Sequence, residues 1–303
     1  RRRRQSRSPA YPDFPADGSY RLAQQILLLH RLLQDPKEAR QGTAHAVPAL
    51  LHHPAAQPAL VQGGLLEGLR DDELPRAALE QATDLVGYGP YVARVAARPG
   101  LAVHASDNRE ELDRARHALD LAAAGRQVVI VSSGDPGVFA MAAAVFEALE
   151  AGPPAWQALE IAVLPGVTAM LAAAARLGAP LGHDFCAINL SDNLKPAALI
   201  ERRLRLAAQA DFAMALYNPR SRARPEGFAR ALAVLGEECA PDRLLCFARA
   251  VATPEERLSV VTLAEAVPEM ADMRTLVIVG SSATRRVGRH VYTPRGIAQA
   301  GTG

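Results

Sequence analysis

Three short turns in this 303-residue sequence place polar side chains beside glycine or proline. The turns are 132–137 (SSGDPG), 164–169 (LPGVTA) and 216–221 (LYNPRS), and each follows or ends a run of residues typical of a β-strand. Glycine lets the backbone approach a ligand closely, while main-chain amides and the polar groups of Thr168, Asn218 and Arg220 can hydrogen-bond to it. The pattern favours a site for a polar small molecule, although each turn alone is also typical of an ordinary strand end.

Several common kinds of site are missing from the sequence. The turns match neither the G-x-G-x-x-G dinucleotide fingerprint nor the phosphate loop, which disfavours a nucleoside triphosphate. The three cysteines, Cys186, Cys239 and Cys246, have neither metal-ligand nor disulfide-framework spacing, so no metal site is predicted and a reducing compartment, the cytoplasm, is expected. His183 precedes Asp184, and we favour a structural role for it over proton transfer; Asp192 and His183 are nevertheless the candidate acid and base.

Net charge and hydropathy limit the partners. The formal net charge is only +2, and the basic residues are most concentrated at Arg1–Arg4, which we interpret as a solvated tail. No apolar run reaches the roughly 18 to 20 residues of a membrane-spanning helix. We therefore expect neither a nucleic-acid partner nor a membrane partner.

The elements that must position these turns alternate between helix and strand from residue 71 onward, which is typical of a layered α/β protein. Asn108 and Glu111 have the spacing of a capping box at a helix start. Predicted helices are 74–83, 108–124, 138–149, 167–177, 195–209 and 226–235; predicted strands are 84–88, 127–132, 159–164, 185–190, 211–217, 244–248, 258–262 and 275–280.

A domain break is predicted near residues 178–184. It gives α/β domains at 61–180 and 181–298, with the ligand site expected in the cleft between them. The preceding residues, 1–60, have an atypical Arg/Pro/His/Gln-rich composition, and we expect them to be poorly ordered apart from one amphipathic helix over 20–34.

The turns and the text between them resemble the tetrapyrrole (corrin/porphyrin) methylase family. The resemblance spans about residues 71–287 and is carried by 82–92 (ATDLVGYGPYV), 131–137 (VSSGDPG), 165–169 (PGVTA), 181–186 (LGHDFC), 190–192 (LSD) and 216–220 (LYNPR). It implies two α/β domains, S-adenosylmethionine bound between them, and a homodimer. It further implies methylation of precorrin-3B at C17, with ring contraction to precorrin-4, in cobalamin biosynthesis.

The same resemblance implies particular site residues. Cofactor contacts would fall on Ser133, Gly134, Asp135, Val138, Thr168, Ala169, Asn218, Ala252 and Thr275, and substrate contacts on Gly89, Pro90, Tyr91, Ser191 and Arg220. Transfer of a methyl group from a sulfonium is an in-line displacement, in which the protein mainly aligns the reactants and excludes water. A sequence of glycine turns without a clear catalytic triad agrees with such chemistry.

One part of the family pattern is absent. The family opens with a strand and a Gly-x-Gly-Pro-Gly loop, whereas the corresponding residues, 60–69, read LVQGGLLEGL. We expect the first sheet to lack this central strand or to use a poor substitute, and we hypothesise an altered reading frame or a wrongly chosen start. The alternatives left open are a sister precorrin or cobalt-precorrin methyltransferase, a non-catalytic tetrapyrrole-binding protein and an inactive product.

Overall fold

The computed structural model describes residues 57–60 and 74–296. The predicted helix 20–34, most of the atypical 1–60 segment and the glycines of 61–73 lie outside the described residues. None of the helices in the described part of the chain is both long and apolar enough to cross a membrane.

The first part of the described chain alternates between strands and helices. The elements are β1 (Gln57–Leu60), α1 (Leu74–Gln81), β2 (Asp84–Tyr88), α2 (Gly89–Val92), β3 (Ala102–Ser106), α3 (Glu111–Ala123), β4 (Val128–Ser132), α4 (Met141–Ala151) and α5 (Pro154–Gln157). The four strands form one sheet in the order β1-β4-β2-β3. Strands β2, β3 and β4 are parallel, and β1 pairs antiparallel with β4. All residues of β4 are buried, as expected of a strand covered on both faces.

The second half of the chain forms two further sheets. The elements are α6 (Ala169–Leu177), β5 (Gly178–Ala179), β6 (Phe185–Asn189), α7 (Ala197–Gln209), β7 (Ala213–Tyr217), α8 (Gly227–Glu238), β8 (Leu244–Arg249), β9 (Arg257–Thr262), β10 (Thr275–Val279), β11 (Arg285–Val287) and β12 (His290–Tyr292). The larger sheet has five strands in the order β6-β7-β10-β8-β9, and the small sheet has the order β11-β12-β5. In the larger sheet β6 and β7 are parallel, whereas β10 pairs antiparallel with β7 and β8, and β8 pairs antiparallel with β9.

Two apolar layers cover the larger sheet. Helices α7 and α8 pack on one face around Phe228, which is fully buried. On the other face α6 contributes Ala173 and Leu177 to a cluster with Ile278 of β10. Packing against this sheet therefore begins at α6, before the predicted break at 178–184. The domain limits of 61–180 and 181–298 stay a prediction.

The predicted strand 159–164 is wrong, because only an isolated bridge at Ala162 is found there. Its side chains do alternate, since Ile161 packs with one core cluster of the first sheet and Leu164 with the other. A strand also needs a neighbour with free hydrogen-bonding groups. The inner strands β4 and β2 have both edges paired, and none of the described strands pairs with residues 159–164.

The predicted capping box of Asn108 and Glu111 is wrong. Helix α3 begins at Glu111, and its N-cap residue, Glu110, makes no side-chain hydrogen bond that caps the helix. The Glu110 carboxylate accepts the backbone N–H of Asp107 at 3.0 Å, and the Asp107 carboxylate accepts the Asn108 N–H at 2.6 Å. These hydrogen bonds stabilise the turn that precedes α3, not its first turn.

Candidate functional site

The pairing of the strands places four predicted ligand-binding segments at the same end of the larger sheet, where β6, β7 and β8 finish. Asn189 is paired with Tyr217, and Arg249 with Thr275. The segments that contain Ser191, Asn218 and Ala252 follow β6, β7 and β8 at this end, where β10 begins with Thr275. The sheet therefore brings these segments to a common side.

In the first sheet, two further predicted segments follow the carboxyl ends of neighbouring parallel strands. Parallel pairing sets Tyr88 beside Ser106, and Gly87 beside Val131. The turn starting at Gly89 and the 132–137 turn consequently leave the carboxyl ends of neighbouring strands. Ligands of open α/β sheets bind at such ends.

Asp135 connects the 132–137 turn with the 164–169 turn. One carboxylate oxygen accepts the Gly137 N–H at 2.8 Å within its own turn, and the other accepts the Gly166 N–H at 3.0 Å. Gly134 has φ of +70°, and a Cβ there would meet Thr168 Cα at 3.6 Å. The two turns are thus in contact, as their positions in the sequence predict.

Tyr217 connects the 164–169 turn with the 216–221 turn. Its phenolic oxygen lies 2.5 Å from Thr168 Oγ1 and accepts the backbone N–H of Met170 at 3.0 Å. Burial raises the pKa of Tyr217, and the charge of Asp135 adds to this, although the bonds with Thr168 and Met170 act in the opposite direction. The phenol therefore stays protonated at neutral pH and is available to donate to Thr168.

Asn218 stands next to this contact with a left-handed backbone, φ +51°. Its side-chain amide donates to Asn189 Oδ1 at 3.1 Å, and the same oxygen accepts the Ser191 N–H at 2.9 Å. The two loops that follow β6 and β7 are therefore tied together by one amide oxygen. Asparagine tolerates this left-handed backbone better than most residues that carry a side chain, which suits Asn218 to the turn.

Two further cofactor candidates, Thr275 and Ala252, differ in how accessible their polar groups are. Thr275 is 4% exposed, and its hydroxyl both donates to Asp272 Oδ1 at 2.8 Å and accepts the Asp272 N–H at 3.1 Å. Ala252, at φ +61°, is half-buried and donates its N–H to Glu256 Oε2 at 2.7 Å. The Thr275 hydroxyl therefore shapes the turn beside β10. Because the Ala252 N–H is used by Glu256, the carbonyl oxygen is the backbone group of Ala252 that a ligand could contact.

The predicted substrate residues occupy two places. Gly89, Pro90 and Tyr91 begin α2, and the Tyr91 ring packs edge-on against that of Tyr88 with centroids 5.2 Å apart. Arg220 follows β7, where its guanidinium donates to Pro225 O at 3.3 Å and pairs with Glu269 at 3.6 Å. A substrate carboxylate would have to compete with Glu269 for Arg220.

The two acid–base candidates are not brought together. Asp192 follows β6 and pairs with Arg230 at 3.0 Å, with Arg224 at 3.9 Å. His183 precedes β6, and its Nδ1 accepts the Asp184 N–H at 2.7 Å. A five-residue strand is about 16 Å long at 3.3 Å per residue, so His183 lies at the other end from the gathered turns.

Sequence reasoning gave no role to three residues at this site. Tyr217 and Asn189 make the hydrogen bonds that join the turns, and Phe139, at φ +53° and 47% exposed, packs its ring 5.1 Å from that of Tyr217. Tyr217 stood inside a recognised motif, but its partners are 47 to 49 residues away in sequence. No local signal identifies them.

A sulfonium-bearing nucleoside fits what these residues offer. At the start of α6, the N–H groups of Leu171 and Ala172 both donate to Thr168 O, and the Met170 N–H donates to Tyr217. The N–H of Ala169, the first residue of the helix, lies at an exposed position, where a ligand can accept it. Gly134 has no Cβ, so the space beside this helix start is open to a ligand. The Asp135 carboxylate lies in the same turn and would favour a positively charged ligand.

The sequence profile of the Tetrapyrrole (Corrin/Porphyrin) Methylases matches residues 56–267. The chain belongs to this family, which confirms the predicted family, its α/β fold and the methyltransferase class. The methyl donor of these enzymes is S-adenosylmethionine, so the predicted cofactor is confirmed as well.

Three proteins of known name are similar to this chain in sequence or in structure. The precorrin-3B C(17)-methyltransferase of Sinorhizobium sp. is 55% identical over 228 residues, covering 74% of this chain and 90% of the relative. The crystal structure of the methyltransferase CobJ is 68% identical, with a TM-score of 0.71, covering 73% of this chain and 92% of that one. The probable cobalt-factor III C(17)-methyltransferase of Salmonella typhimurium is 39% identical, covering 72% of this chain and 90% of the relative.

Proposed function

We propose that this chain methylates C17 of precorrin-3B with S-adenosylmethionine and promotes ring contraction to precorrin-4 in cobalamin biosynthesis. The proposal is supported by the name of the 55% identical Sinorhizobium relative. The structural observation that carries it is the pair of bridges Asp135–Gly166 and Thr168–Tyr217, which gather three glycine- or proline-bearing turns.

The residues of the chain would act mainly by alignment. S-adenosylmethionine supplies an electrophilic methyl group on a positively charged sulfur. The cofactor would be contacted on one side by residues after the first sheet and at the start of α6, namely Gly134, Asp135 and Ala169. On its other side it would be contacted by Asn218 and Ala252, which follow strands of the larger sheet. Ser133, Val138, Thr168 and Thr275 complete the proposed cofactor set. Holding donor and acceptor atoms in line lowers the barrier without a strong acid or base.

The substrate would lie between the Gly89–Tyr91 turn and the Ser191 loop. Arg220 would exchange Glu269 for a substrate carboxylate, since a guanidinium binds carboxylates in a fixed geometry. Asp192 is a candidate for proton transfer during ring contraction, and its ion pairs with Arg230 and Arg224 would fix the position of its carboxylate.

The decisive experiment is turnover of precorrin-3B with S-adenosylmethionine. A product heavier by one methyl group, with an altered absorption spectrum, supports the proposal. Cobalt-factor III, assayed in parallel, tests for a sister enzyme that prefers a metal-containing substrate. A second variant carries a Gly-x-Gly-Pro-Gly loop in place of residues 60–69. Comparing its turnover rate with that of the parent chain measures how much activity is lost because residues 60–69 depart from the family pattern.

Calorimetry with S-adenosylhomocysteine separates the enzyme from a non-catalytic tetrapyrrole-binding protein. Binding heat without turnover would indicate an incomplete active site. A folded chain with no binding heat would contradict the proposed function, and aggregation on expression would favour the inactive product.

We also propose a homodimer that works in the cytoplasm. The supporting observations are membership of the family and the free thiols of all three cysteines, which suit a reducing compartment. Light scattering of the purified chain measures its mass, and a monomer would contradict the proposed assembly.

A further inference from the structure

The turn between β8 and β9 has a strained backbone. Ala250 and Ala252 both have positive φ, +49° and +61°. An L-residue in this region is disfavoured because its Cβ crowds the backbone. Alanine has no polar side chain to hold itself there, so neighbouring groups must hold the turn in place.

Main-chain bonds secure the ends of the turn. Ala250 donates to Arg274 O at 2.9 Å, and Thr253 donates to Ala250 O at 3.2 Å. The middle is held by a side chain, because the Ala252 N–H donates to Glu256 Oε2 at 2.7 Å. A hydrogen bond to a carboxylate is stronger than one between neutral groups.

The same carboxylate oxygen reaches a second element. Glu256 Oε2 lies 3.2 Å from Arg176 Nε, in the last turn of α6. Helix α6 begins directly after Thr168, so one oxygen connects the turn of Ala252 to the helix that starts at the Thr168 corner. The Glu256 side chain is 25% exposed, and the contact is partly shielded from water.

We propose that Glu256 is a positioning residue for S-adenosylmethionine. Its carboxylate fixes the backbone of Ala252 and anchors the Ala252 turn on α6, so that the two sides of the cofactor site keep their spacing. The inference rests on the proposed function and on Ala252 as a cofactor contact. Glu256 touches neither reactant in this role, so its loss weakens cofactor binding and leaves the chemical step intact.

The test compares Glu256→Ala with Glu256→Gln. Alanine removes the acceptor, and we expect the Kd for S-adenosylhomocysteine and the KM for S-adenosylmethionine to rise about tenfold, with kcat within about twofold at saturating cofactor. Glutamine keeps a carbonyl oxygen that can accept the Ala252 N–H, so its Kd should stay within about threefold of the parent value.

Glu255→Ala is the matched control. Glu255 is the adjacent carboxylate, and it pairs with Arg274 and Arg249 rather than with Ala252. Its removal changes the local charge equally, and we expect an unchanged Kd. If Glu256→Ala fails to fold, Glu256→Asp replaces it, because its side chain is one methylene shorter and keeps the charge while it moves the acceptor away from the Ala252 N–H.

The outcomes separate this inference from the proposed function. If the parent chain fails to bind S-adenosylhomocysteine, the proposed function fails. If the parent chain binds and Glu256→Ala binds equally well, the positioning role is overturned while the function stands. An equal loss in Glu255→Ala, or no recovery in Glu256→Gln, also overturns it.

Discussion

The hydroxyl groups of Thr168 and Tyr217 lie 2.5 Å apart, although 49 residues separate them in the sequence. Thr168 ends the turn that contacts Asp135, and Tyr217 ends β7 of the larger sheet. The Thr168–Tyr217 pair therefore joins the 164–169 turn to the larger sheet, and Asp135 joins the same turn to the end of β4 in the first sheet. A contact of this kind fixes geometry more than it supplies chemistry.

Tyr217→Phe should weaken cofactor binding. The change leaves the Met170 N–H and the Thr168 hydroxyl without their partner, and an unsatisfied buried group costs about 1–3 kcal/mol. We expect the Kd for S-adenosylhomocysteine, measured by calorimetry, to rise about tenfold. Phe139 keeps its ring contact in this variant, so the packing is preserved. An unchanged Kd would show that the hydroxyl pair does not organise the site.

Gly134→Ala should lower both stability and cofactor affinity. Gly134 has φ +70°, and a Cβ would find no atom closer than 3.6 Å, so the cost is conformational strain of about 1–2 kcal/mol. The matched control is Gly125→Ala, at φ +82° with no atom within 4 Å, just beyond α3. The melting temperature should fall by a similar amount in both variants. Calorimetry with S-adenosylhomocysteine should show weaker binding for Gly134→Ala alone. Equal affinities would argue against the 132–137 turn as a cofactor site.

The sequence predicted strands best where burial on both faces makes the pattern strong. Strand β2 was predicted with its observed bounds, and β4 to within one residue. Strand β3 was missed because Ala102 and Val103 are exposed at the sheet edge and give no apolar pattern. The false strand at 159–164 has the right alternation, but pairing depends on whether a neighbouring edge is open.

The candidate site was predictable only in part. Glycine turns after buried strands are visible locally, and the order of such turns carries the family resemblance. The partners of Tyr217 and Glu256 depend on how α6 packs on the larger sheet, and no periodicity encodes that packing. Antiparallel insertion of β10 between β7 and β8 likewise sets Thr275 beside Arg249 through long-range pairing.

Substitutions of the two acid–base candidates should have unequal effects. His183 lies at the end of β6 away from the gathered turns, so His183→Ala should leave kcat for precorrin-3B within about twofold. Asp192→Asn weakens the pairing with Arg230 beside the Ser191 loop, and we expect kcat/KM to fall about tenfold or more. Steady-state assays of both variants measure this difference. A large loss in His183→Ala would place proton transfer at His183 instead.

Asp84 should make folding stability depend on acid pH. It is 2% exposed; burial raises the pKa of its carboxyl, but hydrogen bonds from Thr83, Arg126 and His104 outweigh burial, so the pKa is lowered. A lowered carboxyl pKa gives stability that is complete above the unfolded value of about 3.9 and is lost as pH falls towards the folded value.

Asp84→Asn should therefore be less stable than the parent chain by about 1–3 kcal/mol at neutral pH, because the amide cannot accept all three bonds. The difference in the free energy of unfolding between the two chains should become smaller below about pH 4. There the Asp84 carboxylate of the parent chain is protonated, so the parent chain also loses the stabilisation that the charge provides. Denaturant unfolding at several pH values measures it. Asp113→Asn is the control, since that side chain is 76% exposed and pairs with Arg116 across one helical turn. A gap that stays constant as pH falls would show that packing, and not the charge of Asp84, carries the effect.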